Sequence, residues 1–511
     1  MSGTWQRREA AFWCLVFPVL VGLAAISSES FWIDEAHAGF KAMQPDLRSW
    51  WRMLVAFKGS DLQIPLFMFY VWVWEKLVGH SEWALRLSNL PWFVVATAAL
   101  CHGLPTARSR RAAALLLGVS PFVWGYLNEF RPYIMQCAGS ALALAALLRL
   151  NRAQTSPSAP DQRPRDFLLV CAGSVVLSGS SALGMAWASL ALGAGMVLVW
   201  RRGRFDRAAL WSATGTLLVH GSLLLFYLWT LAQGAGATAH QRPSSLNLAF
   251  AAYEILGFAG LGPSRLDLRA QGFEALKNHW FALGVGVAVI GPAIVFAICN
   301  RWKKAGTSER AFALGYVFIP VAALLALGWV TGFRMLGRHC APCVPLLVLL
   351  LARAWADARG FWRVQGIGLA LLWLWSASVL RFAPEHRKDD YRSAARRAQE
   401  ALAQKQRVWW NADSVGAIFY GVPLRVTASR HPFGDALPEA LPGVAAVDWI
   451  SNADPEGITP RPGLIVVSKR DIYDTENRLR AWYERNGYVN AGRIPAFEFL
   501  VPARVSEAER R

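Results

Sequence analysis

Two adjacent carboxylates, Asp34 and Glu35, follow directly on an aromatic pair near the end of an apolar stretch. His37 stands two residues further on. Carboxylates at the edge of a membrane are costly unless they face water, bind a cation or exchange a proton. Solvation is the ordinary state of a loop carboxylate, but this pair also suits a general base or a ligand of a divalent cation.

A second group of polar side chains is scattered over a long part of the otherwise apolar sequence. Its members are Gln63, Arg86, Glu129, Arg131, Tyr133 and Arg338. Guanidinium groups match phosphate oxygens through paired hydrogen bonds, so the group favours a substrate with an anionic head and an apolar tail. A plain structural alternative exists for each: Arg86 could extend toward lipid headgroups, and Glu129 and Arg131 could form a local salt bridge.

The elements that must position these side chains are membrane-spanning helices. Of the 511 residues, 54% are hydrophobic and only 17% are charged, whereas a soluble domain carries about 25% charged residues. The 25 tryptophans suit a protein with long membrane–water interfaces. Apolar stretches near the bilayer length of roughly 20 residues predict eleven spans, at 11–27, 88–105, 111–127, 133–150, 166–180, 182–199, 208–231, 279–299, 311–330, 341–356 and 361–380.

Basic residues predict the orientation of these spans. The net charge of +19 comes largely from Arg and Lys in short gaps between apolar stretches, which explains it without a nucleic-acid partner. The positive-inside rule places these gaps in the cytoplasm if residues 64–79 form an interfacial helix and not a span. The loops 28–87, 128–132, 232–278 and 331–340 then face the extracytoplasmic side, so the sequence predicts a multi-pass plasma-membrane protein whose site faces outward.

The tail 381–511 differs in composition from the rest of the chain. It contains a helical run at 391–404 and strand-like runs at 407–411 and 464–468. These features predict a small extracytoplasmic α/β domain. The remaining residues, 1–380, are predicted to form an α-helical transmembrane catalytic domain with interfacial helices in its first outer loop.

Four motifs occur in an order that resembles a known family. They are aromatic-aromatic-x-Asp-Glu at 31–35, Pro-Leu-aromatic at 65–67, Gly-x-x-Glu-x-x-x-Arg-Leu at 79–87, and Pro-Phe followed by Glu-x-Arg-Pro-Tyr at 121–133. This order resembles the GT-C glycosyltransferases, most of all the bacterial members related to protein mannosyltransferases and to the lipid A aminoarabinose transferase. The similarity is clear over residues 1–150 and extends to the later spans in outline.

The resemblance implies a GT-C-like fold and transfer of a sugar from a polyprenyl-phosphate donor to an extracytoplasmic glycan, lipid or protein acceptor, with inversion at the anomeric carbon. Asp34, supported by Glu35, is implied to be the general base or a ligand of a divalent cation. The implied donor-phosphate ligands are Arg86, Arg131 and Arg338, and the implied sugar or acceptor pocket contains His37, Gln63, Glu129 and Tyr133.

The chain departs from the family pattern at two points. Gln63-Ile64 stands where many relatives have His-Pro, and His339 stands where Tyr is common. These departures leave the donor sugar and any metal requirement open.

Two other functions are compatible with parts of the sequence: a transporter or flippase of lipid-linked glycans, and a non-catalytic envelope scaffold. Transporters often show inverted repeats and ionisable groups near the middle of the membrane, whereas the acids of this chain are predicted at one edge. The sequence contains no Gly-rich phosphate loop that can be placed between a strand and a helix, which disfavours a nucleotide-sugar donor.

Overall fold

The computed structural model describes residues 8–152, 163–201, 206–234, 242–333, 335–425, 446–458 and 460–503. The chain divides into two compact units. The first, the membrane unit, comprises Met1–Ser27, Lys58–Trp74 and Ala84–His386. The second, the α/β unit, comprises Ser28–Phe57, Glu75–Trp83 and Arg387–Arg511.

Long apolar helices make up most of the membrane unit, as the composition predicts. Within the described residues, eight helices are long and apolar enough to cross a bilayer: Arg8–Ala25, Glu82–Gly103, Tyr133–Arg152, Ala182–Trp200, Arg207–Ala232, Trp280–Lys304, Thr307–Thr331 and Phe361–Phe382. The protein is therefore an α-helical, multi-pass membrane protein, and this part of the predicted fold class is confirmed.

The other three predicted spans are also helical in part. Ala107–Gly118 and Pro121–Leu127 together replace the span predicted at 111–127, while Arg163–Ser180 and Cys343–Asp357 cover the remaining two. The first of these is interrupted because Pro121 has no backbone N–H and starts a new helix, with Ser120 as its N-cap. The total of eleven spans stays a prediction.

Shorter helices lie between the spans of the membrane unit. They are Ser60–Gln63, Pro65–Val78, Ser245–Ile255, Arg265–Gln271, Glu274–Lys277 and Gly337–Cys340. Helix Pro65–Val78 covers the segment predicted as interfacial. Its 14 residues fall short of the roughly 20 that a span needs.

Small residues let the helices of the membrane unit approach closely. A Cβ atom on Gly173 would lie 2.5 Å from the carbonyl oxygen of Gly139, and one on Gly103 would lie 2.7 Å from the Cβ atom of Ala145. Such contacts between small residues are a common basis of helix association in membranes, where lipid is as apolar as the side chains. They hold helix Tyr133–Arg152 firmly against its neighbours.

The α/β unit contains one six-stranded sheet of order β2-β3-β1-β4-β6-β5. Its strands, β1 to β6, are Val408–Asn411, Leu424–Arg425, Val447–Trp449, Leu464–Ser468, Tyr488–Ile494 and Phe497–Pro502. Strands β1 to β4 are parallel, and the antiparallel hairpin of β5 and β6 pairs with β4. The predicted C-terminal α/β domain is thus confirmed as a fold.

Helices cover this sheet: Tyr391–Ala403, Ser414–Phe419, Arg470–Tyr473 and Arg478–Arg485. Because side chains alternate along a strand, the adjacent Trp409 and Trp410 of β1 enter different apolar clusters. Trp410 packs in the cluster of Tyr391, and Trp409 packs in the cluster of Trp482. Burial on both faces explains the continuous apolar runs that predicted β1 and β4.

The division of the chain differs from the predicted domains in one respect. The sequence places the whole loop 28–87 with the membrane domain, but Ser28–Phe57 and Glu75–Trp83 belong to the α/β unit. Helices Ile33–Ala42 and Leu47–Ala56 form in the first of these pieces. Hydropathy cannot reveal this arrangement, because contacts between distant segments leave no mark on local composition.

Candidate active site

The turn at residues 128–132 is held in place by polar contacts within the membrane unit. The Asn128 side chain accepts a hydrogen bond from the Ser27 backbone N–H, with 2.8 Å between Oδ1 and N. The Asn89 side chain donates to the Glu129 carbonyl oxygen at 2.8 Å, and also reaches the carbonyls of Tyr126 and Leu127. These contacts fix the backbone that carries the predicted site residues.

Arg131 forms a buried ion pair at this turn. Its Nη1 atom lies 2.5 Å from Oδ1 of Asp61, and both side chains are almost inaccessible to solvent. Asp61 belongs to the short helix Ser60–Gln63. The predicted pocket residue Gln63 ends the same helix and is partly exposed.

Glu129 lies between two arginines. Its Oε2 atom is 3.4 Å from Nη1 of Arg265, and its Oε1 atom is 3.9 Å from Nη1 of Arg338. The Glu129 side chain is 3% exposed, and its Oε1 atom makes no hydrogen bond with the described residues. A polar group placed at this oxygen would therefore meet both a carboxylate and a guanidinium group.

Arg265 connects Glu129 to a second buried acid. Its Nη2 atom donates to the Tyr126 hydroxyl at 2.9 Å and to Oε1 of Glu254 at 3.2 Å. Glu254 in turn packs on Gly337, where an added Cβ atom would lie 2.2 Å from Oε2. Glycine at 337 thus lets the segment that carries Arg338 approach this carboxylate.

Aromatic rings line the same cluster. The guanidinium group of Arg338 lies over the Tyr133 ring, 5.8 Å from its centroid. The rings of Tyr126 and Tyr133 meet edge to face at 4.8 Å. A guanidinium group over an aromatic face gains a cation–π attraction, so Tyr133 helps to hold Arg338 in position.

Arg86 is fully buried in the membrane unit. Its Nη1 atom donates to the Ser27 carbonyl at 3.1 Å. The backbone N–H of the same serine bonds to Asn128, so Ser27 connects Arg86 to the turn. The sequence left open that Arg86 extends toward lipid headgroups. In the structure, Arg86 instead makes a buried contact with the backbone.

His339 follows Arg338 and carries no proton on Nδ1, because this atom accepts a hydrogen bond from the Leu336 backbone N–H at 3.0 Å. Burial lowers the pKa of His339 well below its ordinary value, and the nearby charges of Arg338 and Arg131 lower this pKa further. A neutral imidazole therefore stands beside the arginines and adds no positive charge to them.

The acidic motif lies in the α/β unit, at the start of helix Ile33–Ala42. Asp34 and Glu35 are in its first turn, where the helix dipole favours negative charge. Asp34 is partly exposed, whereas Glu35 is inaccessible to solvent and lies 3.0 Å from Nζ of Lys388. Glu35 also accepts a 3.4 Å hydrogen bond from the Trp32 backbone N–H.

His37, further along this helix, pairs with Asp413. The Nε2 atom of His37 lies 3.1 Å from Oδ2 of Asp413. Burial alone raises the pKa of Asp413, but His37 and a hydrogen bond from the Gly416 N–H bring this pKa below its ordinary value. Asp413 is therefore ionised at neutral pH.

The structure thus brings together five of the nine predicted site residues around one turn of the membrane unit: Arg86, Glu129, Arg131, Tyr133 and Arg338. Gln63 lies two residues from the partner of Arg131. The remaining three, Asp34, Glu35 and His37, share one helix of the α/β unit.

Three charged residues of the cluster are not among the predicted site residues: Asp61, Glu254 and Arg265. Asp61 stands only two residues before Gln63, so its proximity to the Pro-Leu-aromatic motif was an available signal. Glu254 and Arg265 lie in a long polar loop without a recognised motif, and there the ordinary expectation for a charge is exposure to solvent. Only their tertiary contacts reveal them.

A resident metal site finds no support in the donor set. Among the described residues, no three His, Cys, Asp or Glu side chains form a group that could hold a metal ion. The carboxylates of the membrane unit face guanidinium groups, which compete with a cation for the same oxygens.

Solved structures with similar architecture include ArnT from Cupriavidus metallidurans bound to undecaprenyl phosphate, with a TM-score of 0.49, 12% identity and 98% coverage of each chain. The apo state of ArnT gives a TM-score of 0.47 and 14% identity, over 96% of this chain and 98% of that one. Arabinofuranosyltransferase AftD from Mycobacteria gives a TM-score of 0.47 and 15% identity, over 98% of this chain and 40% of that one.

No protein-family model and no curated protein matches the chain in sequence. At this level of identity the roles of individual residues have to come from the chain itself.

Proposed function

We propose that the protein is an integral membrane glycosyltransferase that transfers a sugar from a polyprenyl-phosphate donor to an extracytoplasmic acceptor. The guanidinium groups around the turn 128–132 carry this proposal. Arg86, Arg131, Arg265 and Arg338 gather there with the carboxylates of Asp61, Glu129 and Glu254. Guanidinium groups match phosphate oxygens through paired hydrogen bonds, so the cluster suits the anionic head of a polyprenyl phosphate.

The arginines have the chemistry that the leaving group requires. When the bond between the anomeric carbon and the phosphate oxygen breaks, that oxygen keeps the electron pair and gains negative charge. Guanidinium groups fixed in a buried site stabilise such developing charge without having to reorganise. Arg131 and Arg338 are the main candidates for this role, because the turn and the Tyr133 ring hold them in place.

Asp34 is proposed to act on the acceptor. Its carboxylate takes the proton from the acceptor hydroxyl while the acceptor oxygen bonds to the anomeric carbon on the face opposite to the phosphate. This direct displacement inverts the configuration at that carbon and needs no covalent sugar–enzyme intermediate. Glu35 is already paired with Lys388 and buried, so it supports Asp34 and does not replace it.

The pocket for the sugar or acceptor is proposed to involve Glu129, Tyr133 and Gln63. The Oε1 atom of Glu129 can accept a hydrogen bond from a sugar hydroxyl. Proton transfer through Asp34 requires no divalent cation. His37 is engaged with Asp413 and is assigned to the support of the Asp34 helix.

The first experiment compares envelope glycans and lipids by mass spectrometry in a deletion strain complemented with wild type, with Asp34→Asn or with empty vector at equal expression. The matched control is Asp46→Asn, because Asp46 is an exposed helix N-cap in the same loop and asparagine caps equally well. A general base contributes about 10²- to 10⁴-fold to a rate, so Asp34→Asn is expected to abolish the product signal.

The result identifies the sugar and the acceptor together if a mass of sugar size disappears in the deletion strain and returns with wild type and Asp46→Asn only. Full restoration by Asp34→Asn would exclude Asp34 as the base and would favour the flippase or the scaffold. An unchanged envelope in the deletion strain would count against transfer altogether.

A further inference from the structure

The helix that carries Asp34 is packed into the α/β unit along its length. Phe31, just before the helix, meets Phe419 with 5.3 Å between ring centroids. Gly39 allows the closest approach, since an added Cβ atom would lie 2.9 Å from Cε2 of the same phenylalanine. This side of the helix therefore fits the helix Ser414–Phe419 with no space for a larger residue.

Polar contacts fix the beginning of the Asp34 helix as well. The Tyr420 hydroxyl accepts a hydrogen bond from the Phe31 backbone N–H at 2.7 Å. Glu35 in the first turn is paired with Lys388 at 3.0 Å, and His37 is paired with Asp413 at 3.1 Å. Three side chains from the C-terminal part of the chain thus determine where the helix starts and how it is rotated.

These partners cluster at the carboxyl edge of the parallel strands. Asp413 follows β1, and Lys469 follows β4 and pairs with Asp389, the neighbour of Lys388. In open α/β sheets, ligands bind outside the carboxyl ends of the strands. In this unit, the edge that would bind a ligand instead contacts a helix of the same chain.

The two adjacent carboxylates of the motif differ in their surroundings. Glu35 is 0% exposed and its charge is paired. Asp34, one residue earlier, keeps part of its surface accessible. One carboxylate can therefore anchor the helix while the other meets a substrate.

We propose that Lys388 is a positioning residue for Asp34 and that it acts through Glu35. In this proposal, the carboxyl edge of the parallel strands binds the helix that carries Asp34 and holds it in place. This inference rests on the proposed role of Asp34 as the base. Removal of the ammonium group takes its Lys388 partner away from the buried Glu35 carboxylate, so the first turn has to move or to take up water. A shift of about 1 Å in a reacting group can cost about 100-fold in rate.

The test uses the full-length protein in nanodiscs and in the deletion strain. Lys388→Met is expected to lower the product signal about 100-fold. Hydrogen exchange of the amides in residues 33–42 should accelerate about tenfold or more, because the helix loses its anchor. Lys388→Arg keeps the charge and should retain most of the product and of the amide protection.

Two further variants guard against a trivial loss of folding. Lys405→Met removes an exposed lysine of the same unit and should leave both readouts unchanged. The double variant Glu35→Gln with Lys388→Met leaves neither charge of the buried pair, so it should fold like wild type while its helix still exchanges faster and its product stays low.

The inference would be overturned if either the single Lys388→Met variant or the double variant kept both the wild-type amide protection of residues 33–42 and the wild-type product level. If neither wild type nor any variant makes product, the result would contradict the proposed function instead. In that case faster exchange in Lys388→Met would still show that Lys388 holds the helix, so the two failures are distinguishable.

Discussion

The two units of this protein bury carboxylates for opposite purposes. In the membrane unit, Asp61, Glu129 and Glu254 each lie against an arginine. In the α/β unit, Glu35 is paired with a lysine and Asp34 keeps part of its surface exposed. The first arrangement suits the proposed binding of an anion, and the second suits the proposed role of Asp34 as a base.

This difference suits the proposed reaction. A guanidinium group in a region of low dielectric constant attracts an anion more strongly than it does in water, and Arg131 is buried in the membrane unit. Asp34, the proposed base, keeps part of its surface accessible in the α/β unit. The following predictions test this division, in order of decreasing effect.

The largest loss of stability is expected for Arg131→Met. This substitution leaves Asp61 buried without its partner at 2.5 Å. Breaking a buried ion pair by removing one partner costs about 3–5 kcal/mol, and the free energy of unfolding should fall by that amount. Thermal unfolding in detergent measures the loss.

The double variant Arg131→Met with Asp61→Leu is the control for this prediction. It removes both charges, and well-packed apolar replacements of a buried pair are often neutral for stability. Recovery of the melting temperature without recovery of transfer would confirm that Arg131 serves the substrate. Recovery of transfer as well would show that the pair is structural only.

The next effect concerns the two arginines that flank Glu129. Arg338→Gln should raise the KM for the donor about tenfold, because a hydrogen bond to a charged group contributes about 1.5–3 kcal/mol. Arg265→Gln should have a smaller effect, since the Arg265 side chain is 54% exposed and solvent screens its charge. Steady-state kinetics with the donor identified by mass spectrometry measures both.

An equal or larger effect of Arg265→Gln would contradict this ranking. It would mean that Arg265, and not Arg338, is the main phosphate ligand. The membrane unit would then recognise the donor through the loop that contains Glu254.

Much of this division could be predicted from the sequence. The apolar runs indicated the long helices, the strand-like runs of the tail indicated β1 and β4, and the family resemblance pointed to Arg131 and Arg338. The span predicted at 111–127 was drawn as one helix because hydropathy averages over the break that Pro121 introduces.

Contacts between distant segments could not be predicted in the same way. Asp61 and Arg131 are 70 positions apart, and Glu35 and Lys388 are 353 positions apart. Lys388 carries no local signal, because a lysine before a helix is an ordinary surface residue. Asp61 stands close to the Pro-Leu-aromatic motif, but this position does not reveal which residue it pairs with. The pairing depends on the tertiary structure that brings them together.

A smaller effect is expected from pH through His339. Burial and the neighbouring arginines lower its pKa in the folded chain, while the unfolded chain titrates near pH 6.5. Below that pH the unfolded state binds one more proton than the folded state, so stability is lost as the pH falls. The slope is about 1.4 kcal/mol per pH unit, and thermal unfolding between about pH 5 and pH 7.5 measures it.

His339→Asn should flatten this dependence, because asparagine can still accept the Leu336 hydrogen bond but does not titrate. The matched control is His80→Asn, which removes an exposed histidine and should leave the slope unchanged. An unchanged slope in His339→Asn would show that another group accounts for the pH dependence.

The smallest effect is expected from a contact that holds the start of the Asp34 helix. Tyr420→Phe removes the hydroxyl that binds the Phe31 N–H at 2.7 Å, and a hydrogen bond of this kind contributes about 1 kcal/mol. Tyr488→Phe removes a buried hydroxyl of the same unit, bonded to the Pro462 carbonyl, at a similar cost. Both variants should lose stability, Tyr420→Phe somewhat more because its hydroxyl also donates to Glu82 at 3.0 Å, but only Tyr420→Phe should lower transfer and speed amide exchange before residue 35. Equal transfer in the two would show that the α/β unit holds Asp34 through its apolar contacts alone.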